Sequence, residues 1–335
     1  MKQINEAIEI NSIKLKNRLV MPPMATSKAR EGTVTQELLE YYSEKSAGGY
    51  IGLIITEHSY INKQGMAGPG QLSISRDSDI AELKKLVNLI HENGTKVIAQ
   101  ISHAGSSASQ KATGMPTISA SAVLNEGVTG KNGELPQEMT QEQINSIVKD
   151  FSSAAKRAKD AGFDGVELHS AHGYLLNQFY STLTNKRTDA YTGTTMEGRL
   201  KLHQEVIRAV REEVGAEYLV AMRLGGCDYA DGGSTIADSI EAAILLEKYG
   251  IDLLDISGGL NGFIVPGHIE PGYFSEMTVQ IKKKVSIPVL LTGGIMEIND
   301  AEQLLEEHKA DLIGVGRAIL KDSAWAEKNM NQNED

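Results

Sequence analysis

The sequence contains few of the residues on which several kinds of redox protein depend. Cys227 is the only cysteine among 335 residues. One thiol forms no disulfide within the chain and does not supply the several thiolates that hold an iron–sulfur cluster. We therefore expect no iron–sulfur cluster, and any redox chemistry must depend on an organic cofactor.

Long apolar runs and a basic surface are also missing. No stretch approaches the roughly 18 consecutive apolar residues of a membrane-spanning helix, so we expect no membrane association. Residues 1–18 mix Lys, Glu, Asn and Arg where a secretory signal has an unbroken apolar stretch, which predicts a cytoplasmic protein. The formal net charge of −11 argues against nucleic acid as a partner.

The chain does contain a regular alternation of short apolar runs with longer amphipathic stretches. Runs rich in Val, Ile and Leu predict eight strands, at residues 18–24, 52–56, 96–101, 165–169, 218–224, 253–257, 288–292 and 312–316. Each is followed by a predicted helix, and several of these helices stop at a glycine. Eight βα units predict an α/β fold, a single (β/α)8 TIM barrel over residues 1–335, rather than a doubly wound sheet.

Residues 106–139 interrupt this alternation. They follow the third predicted strand, are rich in Gly, Ser, Thr and Pro, and exceed the usual loop length in a compact domain. In a barrel such a loop leaves the carboxyl end of a strand, where ligands bind. We therefore predict a lid or substrate wall over the active site, with a solvent-exposed insertion as the alternative.

Polar residues gather at the end of the fourth predicted strand. The stretch GVELHSAHGYLLNQFYS, residues 165–181, contains His169, His172 and Tyr174. Two imidazoles can donate hydrogen bonds to one substrate oxygen, and a nearby phenol can supply a proton. Structural hydrogen bonding or zinc binding would explain the histidines alone, but neither an HExxH motif nor a cysteine pair accompanies them. The cluster favours a catalytic site and predicts no metal.

Two further groups of residues indicate a ligand with a phosphate and a polar ring. Gly294 follows strand seven, and Gly316 and Arg317 follow strand eight, where TIM barrels commonly bind phosphate; tight turns are the alternative explanation. Gln100 and Arg223 lie on strands three and five and point into the barrel. Buried, they need polar partners, which a uracil-like ring edge would provide. Structural pairing of these two side chains with Glu57 or Glu167 is the alternative.

These motifs together closely resemble the old yellow enzyme family of FMN-dependent ene-reductases, and in particular its short bacterial members. The resemblance covers nearly the whole chain, and its most specific part is HSAHGYLLNQF followed by NKRTDAYTG and EGRL. It implies that FMN accepts a hydride from NADH or NADPH. It also implies that flavin N5 then passes the hydride to the β-carbon of an α,β-unsaturated carbonyl compound. The longer relatives carry an iron–sulfur cluster, which a chain with one cysteine does not hold.

The resemblance also implies roles for individual residues. His169 and His172 would bind the substrate carbonyl oxygen, and Tyr174 would deliver the proton. The residues that would contact FMN are Pro22, Pro23, Met24, Ala25, His58, Gln100, Arg223, Gly294, Gly316 and Arg317.

Three positions depart from the family pattern. Ala25 stands where relatives commonly have Thr or Cys. The resemblance therefore does not predict the redox potential of the flavin or how it is controlled. Ser27 replaces an aromatic residue that several short members place against the substrate, and His58 is bulky where a small residue is usual. Ser27 predicts a roomier substrate pocket, and we expect a bulky cyclic enone as substrate.

Two other functions are compatible with the same sequence. One is a flavin-free TIM-barrel enzyme that acts on a phosphorylated substrate, and the other is a non-catalytic flavin-binding or redox-partner subunit. The natural alkene, the choice between NADH and NADPH and the stereochemistry stay open. So does the oligomeric state, with a homo-oligomer among the options.

Overall fold

A computed structural model, which describes residues 3–127 and 135–331, contains a closed parallel β-barrel surrounded by helices. Its strands are β1 (Ile8–Ile10), β2 (Ile13–Leu15), β3 (Leu19–Met21), β4 (Leu53–Ile55), β5 (Ser59–Tyr60), β6 (Lys96–Ser102), β7 (Ile118–Ser119), β8 (Gln137–Glu138), β9 (Gly165–Ser170), β10 (Leu219–Cys227), β11 (Leu253–Gly258), β12 (Val289–Leu291) and β13 (Leu312–Gly314). Its α-helices are α1 (Gln36–Ser46), α2 (Ile80–Glu92), α3 (Gln110–Thr113), α4 (Gln141–Ala161), α5 (Leu175–Tyr180), α6 (Met196–Arg199), α7 (Lys201–Val214), α8 (Ile236–Tyr249), α9 (Ser275–Lys282), α10 (Ile298–Glu306), α11 (Arg317–Lys321) and α12 (Trp325–Met330).

Eight of these strands form the barrel. Going round, they follow the order β4, β3, β13, β12, β11, β10, β9 and β6, and hydrogen bonds between β6 and β4 close the ring. Each of the eight predicted strands coincides with one of them, so the predicted TIM barrel is confirmed. Because the barrel strands are parallel, their carboxyl ends meet on one face, and loops from all of them can contribute to one site.

Alternate side chains along the strands fill the barrel in layers. The layer nearest the amino ends is apolar and buried, and consists of Val20, Leu53, Ile55, Ile98, Leu219, Ala221, Leu253, Leu290 and Leu312. The hairpin of β1 and β2 packs against it. Two residues further along, four strands carry the polar side chains Gln100, Glu167, Arg223 and Asp255. The period of two therefore places a polar layer between the apolar layer and the open face of the barrel.

The outer helices begin and end at the signals that the sequence contains. At the start of α4, the Thr140 hydroxyl accepts a hydrogen bond from the Gln143 N–H, and the Gln143 side chain accepts one from the Thr140 N–H. The helix ends at Gly162, whose φ of 95° is the left-handed conformation expected of a glycine stop. No helix among the described residues is long and apolar enough to cross a membrane.

The described part of the loop at 106–139 packs beside the carboxyl end of β9. The Asn125 side-chain amide donates to the carbonyl oxygen of Gly173 at 3.2 Å, and the Ser119 hydroxyl donates to the Gln178 side chain at 2.9 Å. Residues 128–134 of this loop lie outside the described residues. The lid, like the extent of one domain over residues 1–335, stays a prediction.

We expect Thr140→Ala to lower the free energy of unfolding by about 1 kcal/mol, because it removes the cap of α4. Urea denaturation followed by circular dichroism measures this change. Thr140→Ser keeps the hydroxyl and serves as the control, with stability close to that of the unmodified protein. Equal losses in the two variants would show that the hydroxyl does not cap the helix.

Candidate active site

A cavity of about 390 Å³ opens at the carboxyl ends of the barrel strands. It is lined by almost all of the residues singled out from the sequence, namely Pro22, Pro23, Met24, Ala25, His58, Gln100, His169, His172, Tyr174, Arg223, Gly294, Gly316 and Arg317. Ser27 instead lines a neighbouring cavity of about 190 Å³, which shares Ala25, His58 and Tyr174 with the first. Described residues of the loop at 106–139 line neither cavity.

The turn after β9 brings two histidines and a tyrosine together. The ring centroid of His169 lies 5.2 Å from that of His172 and 4.8 Å from that of Tyr174. Between them the chain turns sharply, with φ of 59° at His172 and 70° at Gly173. The Gly173 N–H donates to the Asn177 side chain at 2.8 Å, which holds this turn against α5.

Burial sets the protonation states of these three side chains. It lowers the pKa of His169 and of His172 well below the usual value, and neighbouring positive charge acts in the same direction. Both imidazoles are therefore neutral at pH 7, and each carries one N–H donor. Burial also raises the pKa of Tyr174 to about 12, so its phenol keeps its proton.

His58 lies beside this cluster and is held in one tautomer. The Gln71 side-chain oxygen accepts from the Ala67 N–H at 2.7 Å, so the Gln71 amide nitrogen faces Nδ1 of His58 at 2.6 Å. Nδ1 must accept this hydrogen bond, which leaves the ring proton on Nε2. Burial lowers the pKa of His58 to about 4, so this ring is also neutral.

Glycine opens the other end of the cavity. Gly293 and Gly294 have φ of 106° and 72°, and the Tyr273 ring packs directly against them. A Cβ would lie 2.6 Å from that ring at Gly293 and 3.0 Å from it at Gly294, closer than packed atoms allow. Gly316 and the exposed Arg317 complete this end at the start of α11. Backbone N–H groups and a guanidinium are thus accessible to an anion.

The polar layer supplies the floor of the cavity. The Gln100 side-chain N–H donates to Glu167 at 2.8 Å, and Nε of Arg223 lies 3.1 Å from an Asp255 oxygen. Asp255 is therefore the ionic neighbour of Arg223, in place of Glu57 or Glu167. The signal for it was an acid inside the apolar strand LLDISG, at the same period of two as the other inward-pointing residues.

Part of the cavity wall was not predicted from the sequence. It comes from the segments after β11, β12 and β13 and consists of Gly262, Phe263, Tyr273, Thr292, Ile295 and Leu320, together with Gly314 of β13. The Tyr273 hydroxyl donates to the Phe263 carbonyl oxygen at 2.6 Å, which joins two of these segments. In the sequence, only their position after a strand end could have indicated these residues, because they form no motif. The described residues include no group of three or more His, Cys, Asp or Glu that could hold a metal ion.

Comparison with known proteins identifies the family. The sequence profile of the NADH:flavin oxidoreductase / NADH oxidase family matches residues 3–335. The chain belongs to this family. It is 37% identical to an NADH oxidase of Thermoanaerobacter brockii over 95% of this chain and 49% of that protein. The chain thus spans about half the length of the first curated relatives that it matches.

Solved structures agree with this assignment. The old yellow enzyme homologue from Zymomonas mobilis superposes with a TM-score of 0.83 at 25% identity, over 97% of this chain and 92% of that one. Morphinone reductase in complex with tetrahydroNAD superposes with a TM-score of 0.83 at 27% identity, over 97% and 89%. The predicted membership of the old yellow enzyme family is therefore confirmed, and with it the cofactors, FMN and NAD(P)H.

One pH effect follows from a buried histidine behind the site. His203 packs under β9, with Nε2 2.7 Å from the Ser170 hydroxyl, and burial lowers its pKa to about 3. The unfolded chain binds this proton below pH ~6.5, whereas the folded protein does not. This histidine therefore lowers the free energy of unfolding as pH falls from about 6.5 towards 3, by up to about 1.4 kcal/mol per pH unit.

We expect His203→Gln to reduce this slope. Urea denaturation at pH 7, 6 and 5 measures it, and the exposed His308→Gln is the matched control that keeps the slope of the unmodified protein. The same slope in all three proteins would contradict the assignment of a neutral buried imidazole to His203.

Proposed function

We propose that the protein reduces the activated carbon–carbon double bond of an enone, with electrons that pass from NADH or NADPH through bound FMN. One observation carries the proposal: two neutral imidazoles and a protonated phenol meet at one point of the cavity. This set of donors matches a substrate that must be polarised at an oxygen and protonated at a carbon.

The cavity has the donor chemistry that FMN requires. The glycines at 293, 294 and 316, together with Arg317, offer an open backbone and a cation to its phosphate. Gln100 and Arg223 line the floor, where they can hold the polar edge of the flavin ring. Residues 22–25 and His58 line the cavity beside them. When bound, FMN supplies the hydride that it has received from the nicotinamide.

The histidines and the tyrosine divide the remaining chemistry. His169 and His172 donate hydrogen bonds to the carbonyl oxygen of the enone, which draws electron density away from the β-carbon and stabilises the negative charge that develops on the oxygen. Tyr174 then gives its proton to the α-carbon. Its raised pKa means that the phenol stays protonated until a strongly basic carbon is in contact with it.

The structure supports a bulky cyclic substrate. Bound FMN would take up part of the main cavity, so we place the substrate towards the rim and the neighbouring cavity. Two exposed apolar side chains line the cavity, Phe263 and Leu320, which are 58% and 52% exposed. Ser27, on the neighbouring cavity, leaves room where a large side chain would fill it. Apolar surface of this kind favours a large hydrocarbon ring system.

The two alternative functions receive less support. With FMN as the cofactor, its phosphate accounts for the anion-accessible end of the cavity, and a flavin-free enzyme acting on a phosphorylated substrate is not needed to explain it. A non-catalytic flavin-binding subunit would have no need for the neutral donors His169 and His172 beside Tyr174, which burial keeps in the protonation states that catalysis requires.

We expect Tyr174→Phe to slow the reoxidation of reduced FMN by an enone by roughly 10²- to 10⁴-fold, the usual contribution of a general acid. Reduction of FMN by NADH or NADPH should stay unchanged. Anaerobic stopped-flow spectroscopy separates the two half-reactions. Tyr249→Phe, on the outer helix α8, is the control and should change neither. Equal losses in both half-reactions would rule out the assignment of Tyr174 as the proton donor.

We also expect kcat/KM for a polycyclic enone to equal or exceed that for 2-cyclohexenone. Ser27→Trp should fill the neighbouring cavity and reduce kcat/KM for the polycyclic substrate while sparing the small one. Steady-state assays with both substrates test this, and Ser27→Ala is the control. Activity confined to small enones would refute the bulky-substrate hypothesis.

A further inference from the structure

The polar layer of the barrel contains more acid than base. Glu167 and Asp255 are fully buried, and Arg223 is 6% exposed. Of the four carboxylate oxygens, one on Glu167 accepts from Gln100, and the other three have no hydrogen-bond partner among the described residues. Nε of Arg223 lies within ion-pair distance of Asp255, at 3.1 Å, but is not aligned as a hydrogen bond.

Charge balance within this layer requires one of the two acids to be protonated. Two carboxylates and one guanidinium would leave a net negative charge above the apolar layer, and an unpaired buried ion is strongly disfavoured. Asp255 has Arg223 as a counter-ion, whereas Glu167 has a neutral amide. Burial, and then the charge of Asp255, raise the pKa of Glu167, while Arg223 limits the rise in the pKa of Asp255. Glu167 is therefore the acid that keeps its proton.

No other charge among the described residues acts on this pair. Among the described residues, the groups that act on Glu167 are Asp255, Arg223 and Gln100, and the charge that acts on Asp255 is Arg223. His169, which pairs in register with Arg223, is neutral, as is His172. The layer with Glu167 protonated is thus electrically balanced.

We propose that Glu167 and Asp255 form a proton store under the flavin: Glu167 holds a proton in the oxidised protein, and Asp255 takes a second proton from solvent when the flavin is reduced. This inference rests on the proposed function, which places Gln100 and Arg223 at the flavin ring. Hydride transfer from the nicotinamide brings two electrons and one negative charge to the neighbourhood of Arg223. Arg223 then balances this new charge, and Asp255, left without a counter-ion, binds a proton. The sum of charges is zero before and after.

The pH dependence of the midpoint potential of the FMN-loaded protein tests this store. The double variant Asp255→Asn/Glu167→Gln removes both acids that can take up this proton, since Glu167 would pair with Arg223 if Asp255 alone were replaced. The midpoint potential of the double variant should fall by about 30 mV per pH unit, one proton for two electrons, which is less steep than in the unmodified protein. Glu167→Gln resembles the protonated acid in shape and charge and is the matched control. It should keep the potential and slope of the unmodified protein near pH 7. An unchanged slope in Asp255→Asn/Glu167→Gln, or a large shift of potential in Glu167→Gln, would overturn the proposal.

Infrared difference spectroscopy gives a second test, whose main measurement uses the unmodified protein. Reduction of the flavin should add a carbonyl band of a buried protonated carboxyl group, and the band should shift in D₂O. Glu57→Gln should retain this band, because Glu57, a different buried acid whose pKa burial raises to about 7, lies in the neighbouring cavity. If no carboxyl band changes on reduction, Asp255 takes up no proton and the store does not exist.

These measurements separate the store from the proposed function. A protein that binds FMN and shows the proton uptake, yet reduces no enone, would refute the proposed substrate and leave the store intact. A protein that reduces enones while its potential and infrared bands show no extra proton would refute the store alone.

Discussion

Alternate residues of each barrel strand point inwards, and the arrangement of the whole site depends on this period of two. It stacks an apolar layer, a polar layer and then the strand ends, all within a few residues of each strand. A shift of one residue in any strand would exchange its inward and outward side chains. The registers of β6 with β9 and of β10 with β11 therefore fix which polar groups meet: Gln100 lies opposite Glu167, and Arg223 lies opposite Asp255.

Burial of these polar groups disfavours their charged forms, and this sets the protonation states in the site. Desolvation keeps His169, His172 and His58 neutral and keeps Tyr174 protonated, which makes them hydrogen-bond donors rather than charges. The same effect leaves one of the two acids beneath Arg223 without a charge. A low dielectric environment thus determines which groups can donate protons, which can accept them and which can balance the charge of a ligand.

Much of this arrangement could be predicted from the sequence, and the remainder has a physical explanation. The eight strands were visible because barrel strands buried on both faces form apolar runs, and His169, His172 and Tyr174 were visible because they follow such a run. The first strand is shorter than predicted, since residues 22–24 leave the ladder after Met21 and line the cavity instead. The local sequence pattern does not indicate where a strand leaves the sheet.

Long-range contacts account for the other differences. Asp255 was not recognised as the neighbour of Arg223, because the choice among several acids depends on strand register. Phe263 and Tyr273 reach the cavity through a loop whose shape depends on the glycines after β12. Their sequence carries no periodic pattern from which that path could be predicted.

The visible absorption spectrum of the purified protein under anaerobic conditions tests the central claim most directly. The account predicts a yellow protein that loses its flavin absorbance when NADH or NADPH is added and recovers it when an enone follows in the absence of oxygen. A colourless protein that takes up no FMN, or a flavin that is bleached by the nicotinamide and never recoloured by small or polycyclic enones, would contradict it.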